Sequence, residues 1–291
     1  MLYIPLELLN VRDIRRYKQR YQAILDYYYE HYSFFQNERA KRFSAIKDIL
    51  LKNTRCFNFS SWHRIFDFQY INNPLSARGS IVNDPGGRFN IGDIDELKFS
   101  KFPTLYIAEN YEIAYRERNQ ILPNTISDFG LSSDELSLTN QRSTVDLLLE
   151  GDVKSVIDLT KENCLRALYE VIKDIKLPHH LEKKSRMLTL HASPSVRSYE
   201  ELKDSILQDN WRELPARIDI PANSQIFGQL AHTSGVEGIL YPSKMSDSKK
   251  CLAIYPKNFI NSTSYVSIQD KNKPQNIAYY ELNSETYGYL Y

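Results

Sequence analysis

The first third of the chain opens with a long helical pattern. Through residues 10–52, apolar and aromatic side chains recur at intervals of three and four, at Ile14, Tyr17, Tyr21, Leu25, Tyr28 and Tyr32, and then at Phe43, Ile46, Ile49 and Leu50. Most charged residues fall off this stripe, and the segment contains neither Gly nor Pro. The pattern predicts a helical hairpin or a bent helix. Its aromatic face either packs on the main domain or docks a partner.

From residue 53 onward, short β-favouring runs and helical periods follow one another irregularly. Strands are predicted at 62–68, 104–108, 153–159, 239–241 and 251–255, and helices at 109–120, 161–175, 199–209 and 225–233. We expect residues 121–150 to be loop-rich and then helical, residues 178–195 to be irregular, and the last 35 residues to form a strand with a loose tail. The irregular order favours an α+β fold over a doubly wound sheet.

Composition narrows the functional classes. The 291 residues include 37 basic and 36 acidic ones, so the chain lacks the basic excess of a typical duplex-DNA-binding protein, and no direct nucleic-acid contact is expected. No apolar run is long enough to cross a membrane, which predicts a cytoplasmic protein. Cys56, Cys164 and Cys251 are far apart in sequence and are expected to be reduced core thiols, with no metal site.

Three segments carry candidate chemistry. The first is the Gly-rich turn at residues 85–92, PGGRFNIG, where adjacent glycines allow close backbone approach to a ligand and Arg88 offers a planar fork for phosphate. The second is the apolar strand LYIA, which includes Tyr106 and runs into a helix that ends near Glu117. The third is GILYPS at residues 238–243, where a strand ends in Ser243 and a polar loop follows. Each segment alone is equally typical of an ordinary turn, a solvated helix or a loop.

The order of these segments is more specific than any one of them. The pieces WHRIF (62–66), GGRFNIG (86–92), LYIAENYEIAYRE (105–117) and QIFGQLAHTSGVEGILYPSKMSDSKKCLAIY (225–255) resemble the RES domain family. Matching is weak across residues 118–210. The chain also has Phe89 where Trp is common in the family and Ile91 at a step that is usually Pro-rich.

The resemblance implies an ADP-ribosyltransferase-like mixed sheet and an enzyme that cleaves the nicotinamide–ribose bond of NAD+. Such proteins are typically toxins paired with an Xre-type antitoxin, and they need no metal. Carried onto this chain, the catalytic set is Glu117, Arg88, Tyr106 and Ser243. Further NAD+ contacts are expected from Arg64 or Arg78, which are alternatives for the phosphate role, and from Gly87 and Asn90. Ser243 would bond the ribose or fix the Glu117 rotamer.

The resemblance leaves three questions open. The acceptor of the ADP-ribose group can be phosphate, water or a protein, and an inactive RES-like binding scaffold is a further alternative. A glycosidase that pairs Glu109 with Glu117 on one helical face is another alternative function.

The domain organisation can also be predicted. We expect residues 1–55 to form a helical N-terminal extension, residues 56–260 a catalytic domain with an insertion at about 118–210, and residues 261–291 a C-terminal extension.

Overall fold

The computed structural model of the protein describes residues 11–82, 85–95, 97–119, 143–190, 196–244, 248–269 and 276–290. The helices are α1 (Val11–Lys41), α2 (Phe43–Lys52), α3 (Tyr111–Asn119), α4 (Asn163–Ile172), α5 (His179–Met187), α6 (Tyr199–Leu207), α7 (Glu213–Ile218), α8 (Asn223–Ser234) and α9 (Tyr287–Leu290). The strands are β1 (Thr54–Asp67), β2 (Leu105–Ala108), β3 (Thr144–Asp158), β4 (Gly238–Pro242), β5 (Lys250–Ile254), β6 (Tyr265–Ile268) and β7 (Glu281–Leu282).

The strands form one mixed sheet in the order β1-β2-β5-β4-β3-β6-β7. The long strands β1 and β3 also pair with each other, antiparallel from Thr54 opposite Ile157 to Asp67 opposite Thr144. Strand β4 runs parallel to β3, and β5 runs antiparallel to both β4 and β2. Because β3 also pairs with β1, strands β1, β2, β5, β4 and β3 form a closed ring around a central core. This architecture confirms the predicted α+β class.

Two groups of apolar side chains cover the two faces of the sheet. One group joins sheet residues such as Ile239 to Leu50 of α2, Leu165 of α4 and Phe227 of α8. The other lies on the opposite face and includes Leu149 of β3 together with residues from the C-terminal part of the chain. Since α2 shares the first group with α4 and α8, the N-terminal helices are part of the packed fold rather than a detached arm.

The N-terminal helical prediction is confirmed, with the helix interrupted at Arg42 between α1 and α2. The predicted stripe is only partly buried. Tyr32 packs in the core, whereas Tyr17 and Tyr21 are 68% and 46% exposed. The most buried ring of α1 is Tyr27, which lies off the predicted stripe and packs against α5.

Several local predictions were wrong. Residues 144–150 belong to strand β3, not to a helix: Leu147 and Leu149 face inward with the period of two that a strand requires, and pairing with β1 overrides the helix propensity of the leucine run. Residues 179–187, expected to be irregular, form helix α5 because Leu181 packs against α1. His191 and residues 121–142 lie outside the described residues. Cys56 is exposed rather than buried in the core; all three thiols are free.

The C-terminal segment contributes to the sheet, because β6 pairs with β3 and β7 pairs with β6. The boundaries of the expected extensions and insertion stay predictions. Among the helices in the described ranges, none combines the length and the apolar character needed to cross a membrane.

Candidate functional site

A cavity of about 860 Å³ opens between strands β1 and β2, helix α3 and the Gly-rich turn. Six of the eight expected site residues line it, namely Arg64, Arg78, Gly87, Arg88, Tyr106 and Glu117. The other two, Asn90 and Ser243, are buried directly behind this wall and hydrogen-bond to residues that line it. The fold therefore brings together side chains that are up to 179 residues apart in sequence.

The Gly-rich turn is held in one conformation by side chains. Gly86 adopts a φ of +94°, which favours glycine, and a Cβ at Gly87 would lie 2.5 Å from the Tyr106 hydroxyl oxygen. The Asn90 Oδ1 atom accepts hydrogen bonds from the Gly87 N–H and from the Tyr106 hydroxyl, both at 2.9 Å. Gly87 is required because a side chain would collide with Tyr106 of β2, and Gly86 because of its positive φ and the close backbone of Gly92.

Helix α8 supports the turn from behind. The buried Gln225 amide donates to the backbone carbonyls of Pro85 at 2.8 Å and of Asn90 at 2.9 Å. A Cβ at Gly228 would lie 2.2 Å from the Phe89 carbonyl oxygen, so the helix and the turn are in direct backbone contact. The turn is thus rigid, and Arg88 projects from it at a fixed point.

Tyr106 is a neutral residue in this setting. Burial is the main cause that raises the pKa of its hydroxyl. The same hydroxyl accepts from the Phe89 N–H at 2.9 Å while it donates to Asn90. Tyr106 therefore fixes the turn with its hydroxyl and lines the cavity with the rest of its side chain.

Glu117 reaches the cavity from the last turn of α3, a helix whose start is capped by the Asn110 side chain, which accepts from the Ile113 N–H at 2.9 Å. Its Oε1 atom accepts a hydrogen bond of 2.8 Å from the buried Ser243 hydroxyl. The Cys251 thiol lies 3.8 Å from the same oxygen, and burial is the main cause that raises the pKa of this thiol. Residues at the facing ends of β4 and β5 thus fix the orientation of the carboxylate.

Two arginines are only partly satisfied by protein partners. Arg88 is 8% exposed, and its Nη2 donates to the Gln208 carbonyl at 3.0 Å, while its buried Nη1 has no partner within the described ranges. Arg64 donates from Nη2 to the Ser76 carbonyl at 2.7 Å and has a buried Nε without a partner there. Burial, with a smaller contribution from Arg118, lowers the pKa of Arg64 to about 9. Arg78 is exposed at the cavity rim.

The residues that line the cavity without having been predicted as site residues include Trp211, Arg212, Tyr241 and Cys251. Burial lowers the pKa of the Arg212 guanidinium, an effect that Tyr106 and Glu117 oppose and Arg88 reinforces. No sequence motif pointed to Trp211 and Arg212 as site residues, because they come directly after residues 118–210, where the family resemblance is weak. Only the folded chain reveals that they line the same cavity as Glu117.

Glu109, the second carboxylate of the glycosidase alternative, is not placed in the cavity that contains Glu117. Glu109 precedes helix α3 and does not lie on its face. Its Oε2 accepts from the Lys250 N–H at 3.1 Å, and it is not one of the cavity-lining residues. In the part of the chain that the structure describes, no cluster of three or more His, Cys, Asp or Glu side chains is arranged to hold a metal ion.

Comparison with known proteins agrees with the family resemblance. A search of curated proteins found no match. Among solved structures, one chain of the M. tuberculosis MbcT–MbcA toxin–antitoxin complex is similar at 14% identity, with 84% of this chain and 96% of that chain covered, but its TM-score of 0.38 is too low to support an argument. The family model of the RES domain matches residues 61–271, which is well over half of the chain. The chain therefore belongs to the RES domain family.

Proposed function

We propose that this protein consumes NAD+ by breaking the bond between nicotinamide and ribose. The observation that carries the proposal is the Glu117 carboxylate, which is anchored by the Ser243 hydroxyl at 2.8 Å in the wall of a cavity that it shares with the buried Arg88. Membership of the RES family supports the same reaction. The cavity volume of about 860 Å³ is within the usual range for small-molecule sites.

The chemistry follows from the charge that develops in the reaction. When the bond between the ribose C1′ and the pyridinium nitrogen breaks, its electron pair stays on the nitrogen and nicotinamide leaves as a neutral molecule. Positive charge then develops on the ribose ring, and the Glu117 carboxylate stabilises it. An oxygen nucleophile forms the new bond to C1′, and a water nucleophile releases one proton. Because the Ser243 hydroxyl donates to Oε1, Ser243 acts as a positioning residue that restricts the Glu117 rotamer.

The anionic part of NAD+ is assigned to the arginines of the cavity. The Nη1 atom of Arg88 is a buried donor that no described residue satisfies, and such donors are costly unless a ligand accepts from them. A planar guanidinium is suited to bind phosphate oxygens. Arg64 offers a second donor of the same kind at Nε, while Arg78 at the rim is the other candidate for the phosphate role.

In the cell, we assign to the protein the role of a toxin that depletes NAD+ and is restrained by an antitoxin protein. This role rests on what RES family membership implies. Phosphate, water and a protein side chain remain candidate acceptors for the ADP-ribose group.

The test is to incubate the pure protein with NAD+, with and without phosphate, and to separate the products. Release of nicotinamide is expected in the wild type. A phosphorylated ADP-ribose that forms only with phosphate identifies phosphorolysis, free ADP-ribose identifies hydrolysis, and a mass increase on a protein identifies transfer. A folded protein that leaves NAD+ intact under all these conditions would be a binding scaffold and would overturn the proposal.

A further inference from the structure

Trp211 and Arg212 lie between α6 and α7, directly before the first residue of α7. Trp211 is 4% exposed, and the Arg212 guanidinium carbon lies 4.4 Å from the centroid of the Trp211 ring. Such stacking restricts a guanidinium to one plane. Both residues line the cavity that contains Glu117.

The segment that carries Arg212 is tied to the site at two points. The carbonyl of Gln208 accepts from Arg88 Nη2 at 3.0 Å, and Asp209 forms an ion pair of 3.0 Å with Lys244, the residue that follows Ser243. Arg88 and Arg212 therefore belong to one connected part of the cavity wall. Segment 208–212 is positioned by the site itself and is not an independent surface loop.

Arg88 and Arg212 line the same cavity. Burial lowers the pKa of Arg212 and the charge of Arg88 contributes to the lowering, so the two guanidinium groups repel each other. The repulsion is offset when an anion with more than one charged oxygen lies between them. Arg88 has a buried donor, Nη1, for which the described residues provide no partner. The diphosphate of a dinucleotide carries two negative charges and several acceptor oxygens, which match this pair of donors.

We propose that Arg212 is a substrate-binding residue that holds the diphosphate of the dinucleotide together with Arg88, with its fork oriented by the Trp211 ring. The inference rests on the proposed function, because it assigns a part of the same substrate to a residue of the same cavity. It adds to the site a residue from the chain segment between α6 and α7, whose position could not be deduced from the sequence.

The test measures binding of ADP-ribose, a product-like ligand that retains the diphosphate, by calorimetry to the wild type, Arg212→Gln and Arg212→Lys. Loss of a charged hydrogen-bond donor is expected to weaken ADP-ribose binding by roughly 10- to 100-fold in Arg212→Gln. Arg212→Lys is expected to recover only part of this loss, because a point charge does not reproduce a planar fork.

Arg166→Gln is the matched control. Arg166 also stacks on an aromatic ring, with its guanidinium carbon 4.2 Å from the Tyr199 centroid, but it is not one of the residues that line the cavity. This variant is expected to bind ADP-ribose as the wild type does. Adenosine, which lacks the diphosphate, is followed by saturation-transfer NMR, and its signal is expected to be the same in all variants.

The proposal is overturned if Arg212→Gln binds ADP-ribose as tightly as the wild type, or if it loses adenosine and ADP-ribose equally. Thermal unfolding checks each variant, and if Arg212→Gln does not fold, the same criteria apply to Arg212→Lys. An NAD+ cleavage assay on the same preparations separates the two proposals. If ADP-ribose binding depends on Arg212 but the wild type does not cleave NAD+, only the proposed function is contradicted. If the wild type cleaves NAD+ but ADP-ribose binding does not depend on Arg212, only this inference is contradicted.

Discussion

Glu117 illustrates how its surroundings fix the orientation of a carboxylate. A glutamate in the last turn of a short helix is normally solvated. Here β4 and β5 bring the Ser243 hydroxyl and the Cys251 thiol to the same oxygen, Oε1. A fixed carboxylate acts on a developing positive charge without reorganising, which is the arrangement that stabilises a transition state most effectively.

Glu117→Gln is expected to lower kcat for NAD+ cleavage by about 10²- to 10³-fold, because the amide keeps the size of the side chain but removes its charge. The matched control is Glu112→Gln on the same helix, where the carboxylate is exposed and pairs with Arg116. Steady-state nicotinamide release measures both. Turnover near the wild-type rate in a folded Glu117→Gln protein would contradict the assignment of Glu117.

Arg88→Lys is expected to weaken NAD+ binding although it keeps the positive charge. Lysine cannot donate to the Gln208 carbonyl and to a phosphate in the fork geometry that Arg88 provides. Binding of NAD+ to the Glu117→Gln background, where cleavage is slow, gives the affinity by calorimetry. If the affinity is unchanged, the phosphate role belongs to Arg64 or Arg78, and the same substitution at each of them identifies which.

At the scale of elements, the site depends on the contact between helix α8 and the Gly-rich turn. Gln225 donates to carbonyls on both sides of the turn, and Gly228 leaves room for the Phe89 carbonyl. The turn cannot move toward β2 either, because Gly87 lies against Tyr106. Arg88 is therefore carried by a turn that is packed on two sides. A substitution in α8 that displaces the turn would move Arg88, although α8 contributes no residue to the lining of the cavity.

Gly228→Ala is expected to destabilise the fold by roughly 1–3 kcal/mol, because the added methyl group would lie 2.2 Å from the Phe89 carbonyl oxygen and must displace the turn. The control is Gly288→Ala in α9, where nothing lies within 4 Å of the new Cβ. That variant is expected to keep or slightly raise stability. Urea unfolding measures both, and equal stabilities for the two variants would contradict the tight contact between α8 and the turn.

At the scale of the whole molecule, the proposed NAD+-consuming activity requires restraint in the cell. Segment 78–92 contributes both to the rim of the cavity, through Arg78, and to its buried wall, through Arg88. A partner that covered the rim would need only an ordinary interface of roughly 800 Å² on each side. The exposed rings of Tyr17 and Tyr21 on α1 offer a second contact surface, although the Tyr21 hydroxyl already donates to the Arg217 carbonyl.

Expression in a growing bacterium tests this role. The wild-type chain alone is expected to arrest growth and to lower cellular NAD+, whereas Glu117→Gln, produced at the same level, is expected to do neither. Co-expression of an antitoxin encoded by a neighbouring gene is expected to restore growth. Normal growth and normal NAD+ levels during overproduction of folded wild-type protein would contradict the toxin role.

The sequence by itself determined the elements with strong local signals and the family. The period of the N-terminal stripe predicted α1 and α2, the apolar run LYIA predicted β2, and the order of the GGRFN, LYIA and GILYPS segments pointed to the RES domain, which the family model confirms. The glycines of the turn could also be recognised from the sequence. A positive φ or a close approach of another group strongly favours glycine at a position, so the residue type itself indicates the local geometry.

Only the tertiary structure decided what depends on contacts between distant segments. Residues 144–150 became a strand because β1 pairs with them, and α5 formed because its apolar side packs on α1. Trp211 and Arg212 line the cavity because the segment just before them is held in place by distant residues. Arg88 donates to the Gln208 carbonyl, and Lys244 forms an ion pair with Asp209. Sequence periodicity indicates which face of a segment is buried, but it does not indicate which other segment covers that face. The cavity is formed where such distant segments pack against one another, so only the tertiary structure defines it.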